Sequence, residues 1–181
     1  MGQERLDGIL AGGYLEDLEE VDTPMLRRMR AECEEEEGGL SYARRVLQGR
    51  LDILRAELLR REDDGDEQAE SLLARLPDIL GSDHAATDPL RARATRVDVP
   101  SRAEEYGREA EAILDESTLH TLPQRPASEL VELIDRLTEH ERHLSALRSQ
   151  TFDRIDRIRD ELAARYRDGR ASIRELFQAD G

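Results

Sequence analysis

Two stretches of this chain spell the same helix. Residues 37–61 read EGGLSYARRVLQGRLDILRAELLRR and residues 141–165 read ERHLSALRSQTFDRIDRIRDELAAR. At a spacing of 104 residues, ten of the 25 positions are identical, among them Ser41/Ser145, Arg44/Arg148, Asp52/Asp156, Glu57/Glu161 and Arg61/Arg165. A biased composition supplies some matches, but not an ordered set that keeps Ser and Asp in register. Leu40, Leu47, Leu51, Leu54 and Leu58 in the first copy follow the three-four spacing of a helix-pairing seam, as do Leu144, Ile155, Ile158 and Leu162 in the second. Leu26, Met29 and Cys33 extend the first seam upstream, and Leu130, Leu133 and Leu137 the second; these read as packing. No strand-like alternation of useful length occurs. The expectation is an all-α fold in which two related long helices pair as a coiled coil, with shorter helices beside them.

Composition agrees with a narrow seam. The chain has 181 residues, enough for one ordinary domain, with 38% charged and only 3% aromatic side chains and no Trp. Aromatic rings fill most compact cores, so a globular α/β enzyme is not expected. Acidic residues number 42 against 27 basic ones, a net charge of -15, which argues against direct DNA binding. Cys33 is the single cysteine, and with four His it offers neither a disulfide framework nor a zinc site, so no metal is expected. No apolar run is long enough to span a membrane and the N-terminus lacks a signal peptide's apolar region; a cytoplasmic protein is expected. Every basic residue is Arg. Codon bias of a GC-rich genome accounts for that, yet each cation is then a planar fork suited to carboxylates, phosphates or guanine edges.

Four regions follow from punctuation. Residues 1–22 form a short acidic segment. Residues 23–62 form the first long helix, opening at Thr23-Pro24 as N-cap and first-turn proline, with Gly38-Gly39 as its weak point. Residues 63–126 are a connector holding short helices, one near 67–76 and one from Ser101, and a hinge at Leu122–Pro126. Residues 127–181 carry the second long helix, with Gly169 as end or kink and a helical tail to Gln178. The segments 6–18 and 101–118 are amphipathic, so each buries a face, either in a partner's groove or against the long helices. The run Glu34–Glu37 reads as a solvated face apart from Glu37, and His140 and His143 as surface histidines.

The polar residues beside the first seam are Glu37, Ser41, Arg44, Gln48 and Asp52. Spaced three or four apart, they lie along one stripe of a helix. The second copy keeps Glu141, Ser145, Arg148 and Asp156 but has Phe152 where the first has Gln48. Arg44 and Arg148 fall in equivalent seam slots, where a lone Arg normally snorkels out or pairs across the seam. Two in register favour a shared binding site. Residues 41–61 and 141–174 are each locally basic in an acidic chain, which suits a compact anion. A carboxylate can accept from the N1–H and N2–H2 edge of guanine, and an Arg fork can donate to O6 and N7 or to phosphate.

The pattern E-x3-S-x2-R-x3-Q-x3-D resembles the signature of the RsiG family of anti-sigma factors of actinobacteria. The first copy matches at every position and the second at all but Phe152, a ring able to stack on a base or simply to pack. The resemblance implies an antiparallel pair of helices that binds cyclic di-GMP, two molecules per chain, through Glu37, Ser41, Arg44, Gln48, Asp52, Glu141, Ser145, Arg148, Phe152 and Asp156. It implies sequestration of a WhiG-type sporulation sigma factor, through its domains 2 and 4, from RNA polymerase, with a monomer in a 1:1 sigma complex. The rival is a ligand-independent acidic helical module that binds RNA polymerase or another basic partner. No nucleophile–base pair, phosphate loop or metal set is visible, so no enzyme is expected.

Overall fold

The computed structural model describes residues 2–63, 65 and 102–171. Its regular structure is helical: α1 (Gly2–Leu10), a 3-10 turn (Gly12–Leu15), α2 (Thr23–Asp63), α3 (Ala103–Ile113), α4 (Glu116–Thr121), a 3-10 turn (Leu122–Gln124) and α5 (Ala127–Arg167). Among the described residues there is no strand. The short helix expected near 67–76 and the tail expected to Gln178 lie outside the described residues.

The repeat is longer than its most similar 25 residues. Both α2 and α5 have 41 residues, and they begin and end 104 positions apart. Ahead of them Ile9/Ile113, Leu10/Leu114, Leu15/Leu119 and Leu18/Leu122 are identical at the same offset, as are Leu26/Leu130 in their first turns. Beyond them Gly65 and Gly169, again 104 apart, both adopt positive φ, 83° and 71°, the left-handed conformation that glycine takes at a helix C-terminus without a Cβ clash. Each half therefore leads through short helical segments and a turn into a long helix, the second half having two short helices, α3 and α4, where the first has α1 and a 3-10 turn.

The long helices pass in opposite directions. Thr23 meets Arg165, Glu37 meets Arg148, Arg44 meets Glu141, and Arg61 meets the carbonyl of Arg125. Their seam buries Leu26, Cys33, Leu40, Leu47, Leu54 and Leu58 against Leu130, Ile134, Leu137, Leu144, Ile155, Ile158 and Leu162, each worth about 1.5–3 kcal/mol. A buried arginine ends each helix. Arg61 pairs with Glu57 at 2.9 Å and donates to the carbonyls of Leu122 and Arg125, both at 2.6 Å. Arg165 pairs with Glu161 at 2.7 Å and donates to the carbonyls of Leu18 and Glu19 at 2.6 and 3.2 Å. Each fork thus ties the end of one long helix to the turn that leads into the other.

Several local expectations change. Asp22, not Thr23, caps α2: its Oδ1 accepts the Met25 N–H at 2.7 Å. Gly38-Gly39 does not interrupt α2; Gly39 is where α3 crosses, and a Cβ there would lie 2.6 Å from the Cβ of Arg102. The run Glu34–Glu37 is not wholly solvated, because Glu36 is fully buried and accepts from Arg5 of α1 and Tyr106 of α3. Burial, with this hydrogen bond, pushes the Tyr106 hydroxyl far above its ordinary pKa. The amphipathic segments fold back onto the long helices: Tyr106 and Ala110 join the seam cluster, and Arg154 donates to the carbonyls of Ile9 and Leu10.

Replacing Arg61 or Arg165 by Met should cost about 2–3 kcal/mol each in urea denaturation, since two backbone carbonyls lose their donor and a half-buried carboxylate loses a cation. Arg45→Met, on an exposed position, should change stability by less than about 0.5 kcal/mol. Acid has a defined effect as well. Hydrogen bonds from Arg60, with Arg61 beside it, hold the Glu57 carboxyl at about 2, below its usual 4.5. A depressed carboxylate contributes fully above its unfolded value and loses that contribution as pH falls toward the folded one. Glu57→Gln should therefore flatten the stability profile between about pH 4.5 and 2, which denaturation midpoints at stepped pH would reveal.

Candidate functional site

The seam has two flanks, and the fold uses them differently. On α2, Glu36, Gly39 and Ala43 face the short helices. At 100° per residue, Glu37, Ser41, Arg44, Gln48 and Asp52 lie on the other flank of the Leu40 and Leu47 row. The same rotation holds for α5, so both motif stripes emerge on one face of the helix pair.

On that face the copies cross-pair. Arg44 Nη1 donates to Glu141 Oε1 at 3.1 Å, and Arg148 Nε donates to Glu37 Oε1 at 3.1 Å. Ser145 Oγ donates to Glu141 Oε1 at 3.1 Å; Ser41 donates to Glu37 and accepts from Arg148 Nε at 3.0 Å. The two seam-slot arginines are thus held by the motif carboxylates of the opposite helix. The structure brings six of the ten expected residues together: Glu37, Ser41, Arg44, Glu141, Ser145 and Arg148.

The other four form arms. Because the helices run oppositely, Gln48 and Asp52 extend from the centre one way, and Phe152 and Asp156 the other. Asp52 and Asp156 are exposed and form equivalent i,i+3 ion pairs with Arg55 and Arg159 at 3.3 and 3.5 Å. With a 1.5 Å rise per residue, each lies about 12 Å along the helix from its motif arginine. Gln48 is half-buried. Phe152 is 37% exposed, and the Arg148 guanidinium lies over its ring, Cζ 4.9 Å from the centroid.

Some of the positive charge that marked these stretches is structural. Arg61 and Arg165 are buried at the helix ends, and Arg60 pairs with Glu57 at 2.9 Å. What remains at the centre is two cations and two carboxylates, a strip of alternating donors and acceptors. Pairing across the seam, weighed from the sequence as the alternative to a binding site, is what both arginines do; sequence reading did not name Glu141 and Glu37 as the partners, although the shared offset of 104 with an opposite chain direction contains them. It missed the Arg148–Phe152 stack too, whose i,i+4 spacing was the available signal. Among the described residues no group of His, Cys, Asp and Glu is placed to hold a metal ion, and no helix is long and apolar enough to cross a membrane.

The family model for RsiG-like proteins matches residues 12–80, a stretch that contains all of α2 and the first motif copy. Over that stretch the chain is similar to RsiG-like proteins. No curated protein matches the chain.

A double-mutant cycle on Arg44→Ala and Glu141→Ala should give a coupling of about 1 kcal/mol or less. The two side chains are mostly covered but keep 22% and 19% of their surface in water, enough to screen the pair and to offset its attraction with desolvation, so that the net is small. A pair that contributes so little to folding can exchange partners with a ligand.

Proposed function

Because its first motif helix is RsiG-like, we propose that this chain is an anti-sigma factor that binds cyclic di-GMP on the crossed motif strip of an antiparallel coiled coil. The match itself suggests an anti-sigma type of function, with a sigma factor as partner. The observation that carries the ligand is the reciprocal pairing of Arg44 with Glu141 and Arg148 with Glu37. An inorganic anion would take the arginines and strand two carboxylates. A guanine dinucleotide offers acceptors to the arginines, at phosphate or O6 and N7, and donors to the carboxylates, at N1–H and N2–H2. Uptake is then an exchange of partners in which no charge is left unpaired. The residues assigned are those of both copies: Glu37, Ser41, Arg44, Gln48, Asp52, Glu141, Ser145, Arg148, Phe152 and Asp156.

In this reading two ligand molecules bind per chain without turnover. The loaded monomer holds a WhiG-type sigma factor 1:1, through domains 2 and 4, away from RNA polymerase in the cytoplasm. A second reading, a ligand-independent acidic module, draws support from the same ion pairs, since they satisfy the strip without a ligand.

Isothermal titration of cyclic di-GMP into the protein, alone and mixed with the sigma factor, separates the two. About two ligands per chain are expected, with at least a hundredfold weaker binding in Arg44→Ala and Arg148→Ala, a sigma complex that tightens with ligand, and cyclic di-GMP recovered intact. A sigma complex of equal affinity with and without ligand, and no heat from ligand alone, would establish the second reading.

A further inference from the structure

The two halves of the strip differ at one position, and the difference changes how each arginine is held. Arg44 commits an Nη group to Glu141. Arg148 is tied instead through Nε, to both Glu37 and Ser41, and its guanidinium carbon lies over the Phe152 ring. Among the described residues nothing takes its two Nη groups, so the outward edge of the fork stays open while the side chain is fixed from behind and from below. Gln48, at the equivalent place in the first copy, has no ring face to offer.

We propose that Phe152 is a positioning residue that presets Arg148, so that the strip fills in two unequal steps, the second motif copy first. This inference rests on the cyclic di-GMP reading above. An arginine already held at Nε and over a ring loses little side-chain freedom when it grips a phosphate or a guanine edge, and it need not release Glu37 to do so. Its attraction to the ring strengthens as the ligand excludes water. Arg44 is held at Nη1 alone and Gln48 offers it no ring to rest on, so it loses more side-chain freedom on binding, and binds later. The protein then responds to its ligand in two concentration ranges instead of one.

The test titrates cyclic di-GMP into the full chain carrying Phe152, Phe152→Gln, Phe152→Leu or Phe152→Tyr. Phe152 is partly exposed, so melting temperatures within about 2 °C of one another should confirm that all four fold. The unsubstituted chain should show two steps about tenfold apart. Phe152→Gln and Phe152→Leu should weaken the tighter step about fivefold, as loss of a cation–π contact implies, bringing the two steps close together. Phe152→Tyr should keep them apart. Without ligand, the Arg148 Nε–H resonance should carry a ring-current shift that Phe152→Leu abolishes and Phe152→Tyr retains. If Phe152→Leu titrates like the unsubstituted chain, the ring acts only as bulk; this inference falls and the binding site stands. If no chain takes up cyclic di-GMP, the site reading itself fails and carries this inference with it.

Discussion

Register between the long helices is the constraint on which the rest of the structure depends. A leucine seam by itself is permissive, because sliding one helix by a heptad puts leucines opposite leucines again. Such a slip moves each residue about 10 Å, enough to part Arg44 from Glu141 and Arg148 from Glu37 together. The end clamps forbid it more strongly. Arg61 and Arg165 are buried, and each reaches carbonyls at fixed points in the turn that enters the opposite helix. Out of register, each would keep its own helix's carboxylate but lose every backbone acceptor in the turn, a costly loss for a buried cation. Apolar burial supplies most of the cohesion, and the two polar clamps select one alignment from several.

The same division explains what the sequence disclosed. Periodicity located both long helices to within a residue or two, because a 41-residue amphipathic pattern has few rivals, and the heptad rows named the buried leucines. The motif residues were legible as a stripe, yet their partners were not, since pairing across helices depends on direction and alignment, which a one-dimensional pattern leaves open. Glu36 shows the limit most plainly. Within four consecutive glutamates nothing local marks one as buried; only the arrival of Arg5 and Tyr106 from distant segments does so. Gly39 is a similar case, a residue that weakens an isolated helix but admits another at close range.

The duplicated unit has diverged unevenly. Its mechanical parts are kept in both halves: the Glu57–Arg61 and Glu161–Arg165 clamps, the glycines that end the helices, and the leucines of the turns. Among the differences are one position that touches the other half's short helix and one on the open face. Glu36 has His140 as its counterpart, and Gln48 has Phe152. The scaffold is therefore close to symmetric under exchange of halves, while the surface that it presents is not.

Neither half has a core of its own. α3 of the second half packs on α2 of the first, Arg154 of the second half holds the end of α1, and the seam belongs equally to both. Separating the halves removes nearly all the apolar burial at once, so unfolding is a single concerted event with no stable fragment to retreat to. The open strip crosses that same boundary, with each arginine on one half and its carboxylate on the other. Anything that bridges the strip acts as a cross-link between halves, and by mass action it lowers the unfolded population in proportion to its own concentration. With the proposed ligand, the rate at which the chain opens to proteolysis would then fall as occupancy rises, so that its abundance would carry the same information.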